Sequence, residues 1–118
     1  MITVYGIPNC DTVKKARAWL AAQGTECVFH DFKKQGVPAD RLDAWLLALG
    51  WEALVNRKGT TWRKLDAATQ ISISDAASAR ALILAQPSVI KRPVVDWASQ
   101  TITNSTVGFD AALWVKLT

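Results

Sequence analysis

Cys10 is the residue best placed to do chemistry in this chain. It follows the stretch GIPN at residues 6–9, which is turn chemistry, and precedes DTVKKARAWLAAQG, a run of good helix formers. A cysteine leading into a helix faces N–H groups that have no intrahelical partner, here those of Thr12, Val13 and Lys14. Those donors and the helix dipole favour a thiolate over a thiol. Lys14, one turn on, adds positive charge, while the carboxylate of Asp11 works against a second negative charge. The balance predicts a lowered thiol pKa, suited to nucleophilic attack on a sulfur or an oxyanion centre. On the local pattern alone, the competing reading is a partly buried cysteine in a turn. A redox dithiol would place a second cysteine three residues later, but Val13 occupies that position, so no local disulfide can form.

Arginines are the natural partners of such a thiolate. Arg92 precedes Pro93, which holds it extended and fixes its side-chain direction. Arg57 opens a basic loop with Lys58. Either guanidinium can fork onto a carboxylate or an oxyanion. The remaining polar and aromatic residues read as structural. Cys27, between Glu26 and Val28, is expected to be a buried, inert mid-strand thiol. His30 and Asp31 fall at a strand end. Trp19, Trp45 and Trp114 lie within helical stretches as packing residues, and the lysine pairs at 14–15 and 33–34 read as solvated faces.

The elements that position these residues follow from the pattern. Residues 2–5 are apolar and partly β-branched and read as a short buried strand. In the helix that follows, Val13, Ala16 and Leu20 share a stripe, and Gly24 sits where a left-handed cap is easiest. TECVFHDF is a second strand with Cys27 and Phe29 on one face, parallel to the first across a right-handed crossover. That arrangement puts Cys10 and Cys27 at opposite ends of the sheet. Residues 33–37 read as a polar turn, and Pro38 as the first residue of a helix with Leu42, Trp45, Leu46 and Leu49 inward and Gly50 at its end. Residues 51–65 read as short helical pieces around NRKGTTWRKL. Ser74 is expected to cap a helix that Pro87 stops. Residues 94–95 and 101–103 are strand-like runs suited to a hairpin, and GFDAALWVKL closes the chain with Phe109, Leu113 and Leu117 as its apolar stripe. The order βαβ, helices, ββα describes an α/β chain: a small mixed β-sheet flanked by helices, with a helical insertion over residues 38–87, in one domain spanning 1–118.

Composition narrows the function classes. The 118 residues are half apolar and include six tryptophans, enough core for a chain that needs neither disulfides nor a structural metal. Two cysteines and one histidine make a zinc site hard to assemble. The first ten residues lack a basic segment followed by a long apolar run, and no apolar run approaches a membrane span. A cytoplasmic protein without membrane contact is the expectation. The net charge of +4 favours small anions or an acidic partner, whereas direct nucleic-acid binding would call for a denser basic face.

The stretches GIPNCDTVKKARAWL, NRKGTTWRKL, IKRPVVDW and the late VGF resemble, in order and spacing over almost the whole chain, the arsenate reductase (ArsC)/Spx family, with NCDT pointing to its YffB-like members. The resemblance implies a thioredoxin-like sheet with an inserted helical segment. It implies Cys10 as the nucleophile, Arg92 as an oxyanion-holding arginine, Pro93 as a cis-proline beside the site and Arg57 as a further substrate-binding arginine. Asn9, Thr12 and Lys14 complete the expected binding residues. No bound cofactor is implied; glutathione is the co-substrate, with glutaredoxin as a partner of the arsenate enzymes and RNA polymerase as a partner of the Spx regulators. Two departures from the arsenate enzymes and one from the Spx proteins matter. Residues 101–108, TITNSTVG, lack the third arginine of the arsenate enzymes, and the histidine they carry before the cysteine loop is replaced at Gly6 or its neighbour. Val13 removes the CxxC switch of the Spx proteins. The expected activity is therefore glutathione-dependent thiol reduction, with an RNA polymerase-binding module and arsenate reduction as alternatives.

Overall fold

Alternation along the first strand decides which face of the sheet is covered. Ile2 and Val4 turn to one side and Thr3 and Tyr5 to the other, as the period of two requires. The computed structural model describes residues 1–97 and 104–118. In chain order its elements are β1 (Ile2–Gly6), α1 (Asp11–Ala22), β2 (Cys27–Asp31), α2 (Phe32–Gln35), α3 (Ala39–Leu49), α4 (Trp51–Leu54), α5 (Thr60–Arg63), α6 (Ala67–Ser72), α7 (Ala76–Ala85), a 3-10 turn (Pro87–Val89), β3 (Val94–Trp97), β4 (Asn104–Val107) and α8 (Ala111–Leu117). Contacts divide the chain into two units, Met1–Asp31 with Arg92–Thr118, and Phe32–Lys91.

The first unit holds a four-stranded mixed sheet in the order β2-β1-β3-β4. β1 and β2 are parallel, with Ile2 opposite Cys27 and Gly6 opposite Asp31. β3 runs antiparallel to β1, pairing Val94 with Tyr5, and β4 runs antiparallel to β3, pairing Val107 with Val94. Val4 and Val95 face the buried side of α1, Ala16 and Leu20, together with Trp97 and Trp114. Trp114 is the hub: Trp97, Trp19 and Phe109 meet it edge-on at centroid distances of 5.0, 5.9 and 4.8 Å. At the end of α1, Gly24 takes φ +69° and the Thr25 N–H closes on the Leu20 carbonyl at 3.0 Å, the left-handed stop foreseen for that glycine.

In the second unit Phe32 packs edge-on against Trp45, and Leu42, Leu54, Ile83 and Ile90 are fully buried with them. A bridge between Val55 and Ile90, the Asn56 N–H on the Val89 carbonyl and the Lys91 N–H on the Leu54 carbonyl tie the segment after α4 to the C-terminal end of this unit.

Several local expectations need correction. Residues 32–35 form a helical turn rather than the start of a polar turn, because Phe32 buries its ring on Trp45 and Gly36 then closes back on the Phe32 carbonyl. Pro38 is not the first helical residue but the cap before it, with ψ 120°. Asp75, not Ser74, caps α7; its carboxylate takes the Ser78 N–H while the Ser78 hydroxyl answers the cap backbone. In the last helix Leu113 is exposed and Trp114 takes the buried position, with Phe109 and Leu117 against it. Cys27 is half-buried, not buried, since it packs at the rim of the first unit's core. The strand foreseen over residues 101–103 lies outside the described residues; the partner of β3 is Asn104–Val107.

Candidate active site

Cys10 is the N-cap residue of α1, with extended backbone (φ −129°, ψ 125°). Beyond Gly6 at the end of β1 the chain turns at Pro8 and Asn9 and enters α1 at Asp11. The first bond of the helix runs from the Lys14 N–H to the Cys10 carbonyl at 2.9 Å. The Lys14 amide is therefore spent on the backbone and does not face the sulfur, as the bare count of open donors had suggested. The amides that act on the sulfur are those of Val13 and Thr12.

Partial burial pushes the Cys10 thiol up. The Val13 N–H, the hydrogen bond and positive charge of the Arg92 guanidinium, and the Thr12 N–H pull it down, and the net result lies below the ordinary thiol value. The thiol makes no fully formed capping hydrogen bond. The stabilisation is that of amide dipoles and a guanidinium acting on sulfur charge.

Arg92 comes to the cysteine from the opposite side of β1. The register that sets Val94 against Tyr5 carries Arg92 past the end of that pairing, toward the loop holding Cys10. Arg92 is half-buried and its Nε fully so. Pro93 follows through a cis peptide bond and is buried, and its carbonyl accepts the Gly108 N–H at 2.8 Å. The end of β4 thus holds the segment that presents Arg92.

The other expected site residues are placed as follows. Thr12 and Lys14 are exposed on the first turn of α1, and Asn9 is exposed in the turn before it. Arg57 belongs to the second unit, where it lies over the Trp51 ring at 5.3 Å and within 3.5 Å of Glu52. The structure thus brings Cys10, Thr12 and Arg92 together at one end of the sheet. Asp31 is buried at the end of β2, and His30 meets the Tyr5 ring at 5.0 Å, both at the strand end foreseen for them. Gly6, expected as part of the turn before Cys10, is instead the last residue of β1 and lies close against Val13 of α1, a contact between two elements that no local pattern signals. Among the described residues no group of three or more His, Cys, Asp or Glu could hold a metal ion, and no helix is long and apolar enough to cross a membrane.

A mixed four-stranded sheet with a cysteine capping the helix that follows its first strand, and a cis-proline leading into the third, defines a thioredoxin-like fold. The family is more specific: the ArsC family model matches residues 5–116, and the chain belongs to the ArsC family. The solved structure of the YffB (PA3664) protein is similar over 99% of this chain and 98% of its own, with 41% identity and a TM-score of 0.91. An arsenate reductase (ArsC) related protein from Brucella melitensis is 50% identical with a TM-score of 0.73, covering 98% of this chain and 92% of its own. The global transcriptional regulator Spx of Streptococcus pyogenes serotype M3 is 30% identical over 98 residues, 80% of this chain and 71% of the regulator.

Proposed function

We propose that this protein is a glutathione-dependent thiol reductase that works through Cys10 alone. The observation that carries the reading is the Cys10 sulfur held at the start of α1, with the Val13 and Thr12 amides and Arg92 drawing its pKa down. The Cys10 thiolate attacks the glutathione sulfur of a mixed disulfide. The substrate S–S bond breaks, the substrate thiolate leaves and takes a proton, and Cys10 becomes disulfide-linked to glutathione. A second glutathione, as its thiolate, attacks the glutathione sulfur of that adduct, releasing oxidised glutathione and the Cys10 thiolate. The substrate disulfide gains two electrons, and the two glutathione units end as one disulfide. Asn9, Thr12 and Lys14 are the exposed polar groups beside the thiol that would meet glutathione, in the reducing cytoplasm where that thiol is abundant.

The test is turnover of a peptide–glutathione mixed disulfide with reduced glutathione. A Cys10→Ser variant should fall to the uncatalysed rate, and full turnover by that variant would contradict the reading. A small oxyanion is the alternative substrate, favoured by the likeness to the Brucella protein. It would require that the protein, with glutathione and glutaredoxin, consume arsenate.

A second reading rests on the Spx likeness and the basic loop of the second unit: a module that binds RNA polymerase or another acidic protein surface. The loop exposes Arg57, Lys58 and Lys64. Arg63 instead clamps the Lys58 carbonyl with two donors at 3.1 and 2.6 Å, and so shapes the loop. Binding to RNA polymerase lost on Arg57→Glu with Lys58→Glu would support this reading; binding indifferent to both changes, or absent, would count against it.

A further inference from the structure

We propose that Gly6 is a positioning residue for the Cys10 sulfur: its missing side chain lets Val13 seat against the end of β1, and that seat fixes where the first turn of α1 stands. A Cβ at position 6 would lie 2.9 Å from Val13 Cγ2 and 3.4 Å from Val13 Cγ1. Both methyls crowd the same point, so rotating the stiff β-branched side chain exchanges one contact for the other. Phe29 Cε1 stands at 3.7 Å from the same point, in ordinary contact. The rest of α1 cannot retreat easily, because Ala16 and Leu20 are fully buried in the core of the unit. The strain of a methyl at position 6 therefore falls on the first turn. There the Val13 and Thr12 amides face the thiol, and the Lys14 N–H grips the Cys10 carbonyl.

The requirement at position 6 is steric. The glycines with positive φ are Gly24, Gly36, Gly50 and Gly108, so Gly6 holds a backbone conformation that alanine can adopt. The cost of a methyl there comes from the Val13 contact, which makes the inference separable by a second substitution on the other side of that contact.

The inference rests on Cys10 as the functional thiol, but it concerns ionisation and can be read without turnover. Iodoacetamide alkylation of Cys10 against pH, in a Cys27→Ser background, is measured with and without Gly6→Ala, once with Val13 and once with Val13→Ala. With Val13 present, the added methyl should raise the midpoint by roughly 0.5 pH unit, about a threefold loss of rate below the midpoint. With Val13→Ala the same methyl should leave the midpoint where it was. An equal shift in both backgrounds, or none with Val13 present, overturns the proposal. Should Gly6→Ala alone fail to fold, the pair in the Val13→Ala background decides: a folded double variant with an unshifted midpoint supports the seat, and a shifted or unfolded one refutes it. A chain that shows this coupling yet lacks glutathione turnover refutes the reductase reading and leaves the seat standing.

Discussion

Cys27 pairs with Ile2 at the start of β1, whereas Cys10 lies beyond Gly6 at the other end of that strand. Four residues of strand alone separate the two ends by about 13 Å, well beyond the ~7 Å Cα spacing that a disulfide can bridge. Both thiols are free. A glutathione adduct on Cys10 should therefore persist until an external thiol removes it. When mixed disulfide is supplied without reduced glutathione, intact mass should show one stable glutathionyl group on Cys10. A Cys27→Ser variant should behave identically; slower turnover in that variant would assign Cys27 a resolving role.

Arg92 should matter most where the thiol needs help to ionise. Arg92→Ala should lower kcat/KM about tenfold at pH 7, and the deficit should shrink toward pH 9, where the thiol ionises unaided. Arg92→Lys should recover part of the loss, since an ammonium supplies the charge but not the planar fork. A deficit that is the same at every pH would place Arg92 in substrate binding alone.

The same ionisation leaves a mark on stability. A thiol whose pKa is depressed in the folded state stabilises the fold fully above its unfolded-state value, near pH ~8.5, and loses that contribution as pH falls through the folded-state value. The difference in unfolding free energy between the parent and Cys10→Ser should therefore grow with pH across that window and then level off. Denaturant titrations at a series of pH values would show it. A difference independent of pH would mean that the thiol is not shifted.

Trp114 anchors the core of the first unit, yet its indole N–H is buried and meets no acceptor among the described residues. Trp114→Ala should cost about 3–5 kcal/mol, the range for emptying a large aromatic site. Trp114→Phe should cost much less, because the lost volume is partly offset by removing a buried donor without a partner. Chemical denaturation of the two variants tests this; equal losses would mean that the N–H is satisfied in the folded chain.

Much of this arrangement was legible in the residues. The turn chemistry before Cys10 (realised at Pro8 and Asn9, with Gly6 still in the strand), the stripe of Val13, Ala16 and Leu20, and the apolar strand are local signals, and together they place Cys10 at a helix start. Parallel pairing of the first two strands followed from the helix between them. What stayed hidden depends on contacts distant in sequence or on one-residue competition. Phe32 turns a polar stretch into a helical turn only because Trp45 is there to receive it. Ser74 and Asp75 are both good caps, and the reciprocal bond to Ser78 selects the second. Leu113 and Trp114 compete for one inward position, and the larger ring takes it among Trp19, Trp97 and Phe109. The seat of Val13 on Gly6 joins a strand to a helix, so no local pattern announces it.

The central claim is that α1 and Arg92 make the Cys10 thiol ionise more readily than an ordinary thiol. Its most direct test is the pH dependence of Cys10 alkylation in a Cys27→Ser background. The expected midpoint lies below the ordinary thiol value of about 8.5. A midpoint at or above that value would contradict the claim and shift the weight to the binding-module reading.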